Sequence, residues 1–125
     1  MHWHFDHLAF NSANGAHLQE AFSALLDLQP GARPPFPFPG RWLYQGSQAL
    51  VHIIERDAFS HDHLSHLALH TDSPAEMVLQ RVELSGLPYH LTEVPGESLW
   101  QCFVQLPGGL LLELNARKTP QTPAR

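Results

Sequence analysis

Around His7-Leu8-Ala9-Phe10 the chain alternates with a period of two, the pattern of a half-buried strand. The same four-residue pattern returns 59 residues later as His66-Leu67-Ala68-Leu69. A helical period follows each copy. From about Ala16 to Leu28 the residues Leu18, Ala21, Phe22 and Leu25 form an apolar stripe, and Gln29-Pro30-Gly31 ends it. In the second copy Ser73-Pro74-Ala75-Glu76 reads as a capping box with proline at the first helical position. Met77, Val78, Val82 and Leu84 supply apolar surface there, and Gly86 suits a C-terminal cap.

Strand-like runs come after each helix. Arg41–Gln45 and Ala49–Glu55 flank Gly46-Ser47-Gln48, which predicts a hairpin. In the second half Tyr89–Glu93, Leu99–Gln105 and Leu110–Asn115 fill the same slots, with Pro107-Gly108-Gly109 as a turn. The five prolines of Pro30–Gly40 confine that stretch to an irregular or edge connection. Each half is thus strand, helix, then two or three antiparallel strands. The pattern predicts one domain over residues 1–118, made of modules at about 1–57 and 61–115. Arg56–Asp62 is the joint, and residues 119–125 are expected to be a flexible tail.

Composition narrows the functional classes. With 125 residues, 43% hydrophobic, the chain has enough apolar surface for a real core. Its formal charge of −5 has the wrong sign for a phosphate-tracking binder, so no nucleic-acid partner is expected. The lone Cys102 can form neither an internal disulfide nor a zinc finger. Residues 1–10 lack a basic and an apolar signal region, and no apolar run approaches the ~20 residues of a membrane helix. The expectation is a cytoplasmic protein with no membrane partner. Histidine is the anomaly: ten of them outnumber the seven Lys and Arg.

Strand parity sorts those histidines. His7 shares a face with Phe5 and Ala9, opposite Leu8 and Phe10; His66 shares one with Ala68 and His70. The leucine faces should meet the helices, leaving His7 and His66 on the other side of the sheet at equivalent points. The last strands add a second pair, His52 between Val51 and Ile53, and Glu113 between Leu112 and Leu114, 61 residues apart. Three imidazoles and a carboxylate on one surface suit a first-row divalent metal with room for water or substrate. Glu113 in its leucine-rich run also needs a partner if buried. His2, His4, His17, His61, His63 and His90 read as surface residues, and Cys102, on the opposite strand face, reads as a buried structural thiol.

The chain resembles the vicinal-oxygen-chelate superfamily of glyoxalase I, fosfomycin-resistance proteins, methylmalonyl-CoA epimerase, extradiol dioxygenases and bleomycin-resistance proteins. The resemblance runs from Phe5 to Asn115 and rests on Asp6-His7-Leu8-Ala9, His66-Leu67-Ala68-Leu69, Gln101-Cys102-Phe103-Val104, Pro107-Gly108-Gly109 and Leu112-Glu113-Leu114. It implies an α+β fold of two βαβββ modules that form a cup-shaped mixed sheet with helices on its outer face. It implies one divalent metal per chain (Zn, Ni, Mn or Fe) held by His7, His52, His66 and Glu113, with Glu113 or a metal-bound water as the base. His52 stands where glyoxalase I usually has Glu. Gln101, Phe103 and Gln105 would line the cup beside His70, Trp42 and Tyr44, with Arg41 available to an anionic group. The function implied is metal-dependent glyoxalase or dioxygenase chemistry on a small oxygen-bearing substrate, in a homodimer. The alternative is a drug-sequestering protein of the bleomycin-resistance type, without chemistry.

Overall fold

The computed structural model describes residues 1–120. Among them the elements run β1 (His4–Ser12), α1 (Gly15–Leu26), β2 (Gln29–Gly31), β3 (Gly40–Gln45), β4 (Gln48–Glu55), β5 (His63–His70), α2 (Ala75–Ser85), β6 (Tyr89–Glu93), β7 (Leu99–Gln105) and β8 (Leu111–Arg117). The strands form one mixed sheet in the order β2-β3-β4-β1-β5-β8-β7-β6, the α+β class expected. The chain clusters into two compact units, one of Asp6–Ala68, the other of Met1–Phe5 with the chain from Leu69 onward.

In the Asp6–Ala68 unit the core is Leu28, Leu43, Val51 and Ile53, against which Phe10, Leu18 and Phe22 pack. Helix α1 starts where Asn14 Oδ1 accepts from the His17 amide at 3.2 Å. It stops at Asp27, whose left-handed backbone (φ 57°) turns the chain inward. That turn corrects the expected apolar stripe: Leu28, beyond the cap, is buried, while Leu25 is 80% exposed. Strands β3 and β4 join through Gly46-Ser47, a two-residue turn that Gly46 permits with φ 59°. A register shift between Leu43 and Tyr44 interrupts their pairing. Strand β1 runs parallel to β4, with Leu8 opposite Val51 and Phe10 opposite Ile53. Pro30 lies in the edge strand β2, where its missing N–H costs no central ladder bond.

One contact leaves no room beside a glycine. A Cβ on Gly15 would fall inside the Glu55 carboxylate, whose Oε1 is held by Arg41 Nε at 2.5 Å. The carboxylate occupies the positive end of α1, a favourable place for an anion. Gly15→Ala is therefore expected to destabilise the fold by about 1–3 kcal/mol, the usual cost of overpacking. A lowered urea midpoint at unchanged slope would show it; an unchanged midpoint would mean that Glu55 can move away at no cost.

In the second unit α2 packs Ala75, Val78 and Val82 against Cys102, Val104 and Ala116. The 75/78/82 spacing is one helix face, so Met77 and Leu84, expected to supply apolar surface, are exposed. The expected capping box does not form. Pro74 occupies the N-cap and has no polar side-chain atom to cap with, while Thr71 Oγ1 takes the Ser73 amide at 3.3 Å and Glu76 is engaged elsewhere. The Glu76 carboxylate accepts from the Thr119 amide and hydroxyl at 3.0 and 3.1 Å. Residues 121–125 of the expected tail lie outside the described residues. Gly86 closes α2 with φ 73°, as expected. Strands β6, β7 and β8 form an antiparallel meander whose last turn needs the positive φ of Gly108 and Gly109. Strand β8 continues to Arg117, two residues past the expected end. No helix among the described residues is long and apolar enough to cross a membrane.

Candidate metal centre

Because Val51 and Ile53 face α1, His52 between them faces the other way. Trp42 is its cross-strand partner on β3. The two rings stack at 3.9 Å between centroids and 13° between planes. On its other side His52 stacks on His7 at 3.5 Å and 16°. Burial in this sandwich, then the neighbouring His7, lowers the His52 pKa to about 2, so its imidazole stays neutral. The short hairpin turn settles the side of Trp42. Tyr44, beyond the register shift, lies over Gly31 instead, and its hydroxyl donates to the Ala32 carbonyl. Arg41 is committed too: besides Glu55 it donates to Gln19 Oε1 at 3.1 Å, so it is a structural cation.

His7 and His66 are both buried, their rings edge to face at 5.9 Å and 74°. His7 Nδ1 lies 2.6 Å from Asp6 Oδ1. A carboxylate can only accept, so Nδ1 carries the proton, and Nε2 is the nitrogen left to act as a ligand. Ser65 Oγ stands 2.9 Å from His66 Nδ1. A hydrogen-bonding residue therefore precedes the histidine in both copies of the repeat, and each engages Nδ1. Sequence reasoning assigns no role to these two orienting residues, although their shared position before each histidine is a signal.

In the second unit Leu114 and Ala116 of β8 face α2, which turns Glu113 and Asn115 to the opposite face. Glu113 is 2% exposed and accepts from Asn115 Nδ2 at 2.7 Å. Phe103 pairs with Glu113 in register and Gln101 with Asn115, on the predicted face of β7; Gln105 follows opposite Leu111 and is exposed. Gln101 Oε1 accepts from Thr92 Oγ1 at 3.2 Å. Among the described residues Asn115 Oδ1 is buried without a hydrogen-bond partner. His70 stacks with His4 at 5.1 Å.

His7, His66 and Glu113 each offer a ligand atom, and these three atoms lie within 4.8 Å of one another. Three ligands about 2.0–2.2 Å from one tetrahedral ion stand about 3.3–3.6 Å apart, so the side chains would close in by up to about 1.5 Å to share one. Two imidazoles and a carboxylate, buried together, are a donor set that fits a first-row divalent ion. His52 is not one of the three.

No family model matches the chain, and no curated protein matches it in sequence. Solved structures match over nearly its whole length. A hypothetical protein from Bacillus halodurans C-125 is 14% identical with a TM-score of 0.73, the match covering 98% of this chain and 100% of that one. Methylmalonyl-CoA epimerase from Mycobacterium tuberculosis is 15% identical with a TM-score of 0.66, over 93% of this chain and 88% of that one. The Mn(II)-bound glyoxalase from Novosphingobium aromaticivorans is 16% identical with a TM-score of 0.65, over 97% of this chain but only 42% of that one. At such identities the likeness is one of fold. The fold this chain carries is the one these epimerase and glyoxalase structures share.

Proposed function

We propose that the chain is a metal-dependent enzyme of the glyoxalase and dioxygenase type, acting on a small substrate that offers two neighbouring oxygens to one divalent ion. The buried group His7, His66 and Glu113 carries this reading, because two imidazoles and a carboxylate with donor atoms this close together are a ligand set for a first-row divalent ion. When bound, the ion would supply Lewis acidity toward the substrate oxygens. The chain's own residues do the rest. Asp6 fixes the His7 tautomer, and the stacked rings of His52 and Trp42 wall that histidine off from water. His52 acts as a neighbour of the ligands. Glu113, oriented by the Asn115 amide, is the base of an isomerisation, and Gln101, Phe103 and Gln105 face the substrate.

The test is metal loading with Zn, Ni, Mn or Fe(II), followed by turnover on hemithioacetals, catechols, fosfomycin with a thiol, and methylmalonyl-CoA. Metal-dependent turnover of one class is the expected result. A chain that takes up no metal, yet binds a cationic aromatic drug saturably with quenching of Trp42, would replace the reading with drug sequestration. The setting is cytoplasmic, in keeping with a single buried thiol and no disulfide. The partner in this reading is a second copy of the chain. Sedimentation at micromolar concentration should give the mass of a dimer, and a monomer would remove that part.

A further inference from the structure

Seven of the ten histidines lie outside the centre described above, and three of these gather in one place in the second unit. Trp3 packs against the core of that unit, which fixes the chain on either side of it. With Trp3 pointing inward, the alternation of an extended chain presents His2 and His4 together on the outer side. Their ring centroids are 4.6 Å apart, edge to face. Strand β5 is the sheet neighbour of β1, and it ends on His70, whose ring lies 5.1 Å from that of His4.

We propose that His2, His4 and His70 form a second metal site, one that takes Cu(II). Two imidazoles on one ion, with nitrogens about 2.0 Å from it and at angles of about 90–109°, have ring centres about 4.5–5.2 Å apart. Both observed separations fall in that window. His2 and His4 are exposed, so their rings turn toward a common point without disturbing packing. The donors are all imidazoles, with no carboxylate among them. Such a set ranks Cu(II) above Zn and Ni, and holds Mn and Mg poorly. The buried His7, His66 and Glu113 group contains a carboxylate, so the two sites differ in which ions they prefer.

Cu(II) added to the full chain, up to two equivalents, reads the site by paramagnetic broadening of assigned imidazole resonances. His2, His4 and His70 should broaden together. His4→Ala should abolish the broadening of His2 and His70 and weaken that binding step at least tenfold in calorimetry. Broadening confined to His7 and His66, broadening that centres next on His61 and His63, or an undiminished effect in His4→Ala would each overturn the proposal. Its outcome is independent of the buried centre: a His66→Ala chain that binds no metal there should still show the His2, His4 and His70 response.

Discussion

Alanine in place of His7, His66 or Glu113 should leave the purified chain with almost no bound divalent metal. In the proposed centre each residue would give one of three donors, and the remaining two would not hold an ion against solvent at the same affinity. Loss of an outer partner alone costs about 10–100-fold in affinity, so loss of a donor should exceed roughly 100-fold. Asp6→Asn supplies the graded control. It keeps the three donors but weakens the bond that fixes His7 Nδ1, so it should fall inside the range of about 10–100-fold. His52→Phe preserves the stack between Trp42 and His7 and should retain the metal. Elemental analysis with circular dichroism separates metal loss from unfolding. Full metal in all three alanine variants, with native dichroism, would show that the centre is elsewhere.

The metal-free chain should lose stability steeply in mild acid. Folded His52 resists protonation down to about pH 2, whereas in the unfolded chain it takes a proton near the ordinary histidine value of 6.5. Between those values the unfolded state binds one more proton than the folded state, so stability rises with pH. The contribution is complete above about pH 6.5 and is lost at about 1.4 kcal/mol per unit below it, roughly 2 kcal/mol by pH 5. Urea unfolding from pH 7.5 to 5 measures this, and His52→Phe should flatten the slope by that amount. Equal slopes in wild type and variant would mean that His52 becomes protonated within the fold.

Much of this is legible in the chain because duplication writes itself in offsets. The 59- and 61-residue spacings pair His7 with His66 and His52 with Glu113 from the sequence alone. Strands β6 and β7 are bounded there to the residue, since their alternation stops abruptly at Leu87-Pro88, Val94-Pro95 and Pro107. What escapes depends on non-local geometry. The side of Trp42 hinges on the two-residue turn at Gly46-Ser47, and that of Tyr44 on a register shift one residue later. Leu25 would join Leu18 and Phe22 in a buried stripe only if the helix ran on. The left-handed Asp27 diverts the chain and buries Leu28 instead. The capping box fails because Thr71 and Thr119, one upstream and one 43 residues beyond Glu76, compete for its two members. Parity makes His52 a candidate ligand, but its stacking between His7 and Trp42 depends on strand pairing that parity does not give.

Cys102 gives the fold a clock. It is the sole thiol, buried beneath α2 among Val78, Val82 and Val104, and burial raises its pKa. A thiol reagent therefore meets neither an accessible sulfur nor a ready thiolate while α2 stays seated. Its reaction rate counts the openings of the helix from the sheet, with no probe engineered into the chain. Run with and without bound metal, the same labelling reaction would time how far an ion held at Glu113 on β8 steadies the helix packed on that strand's other face.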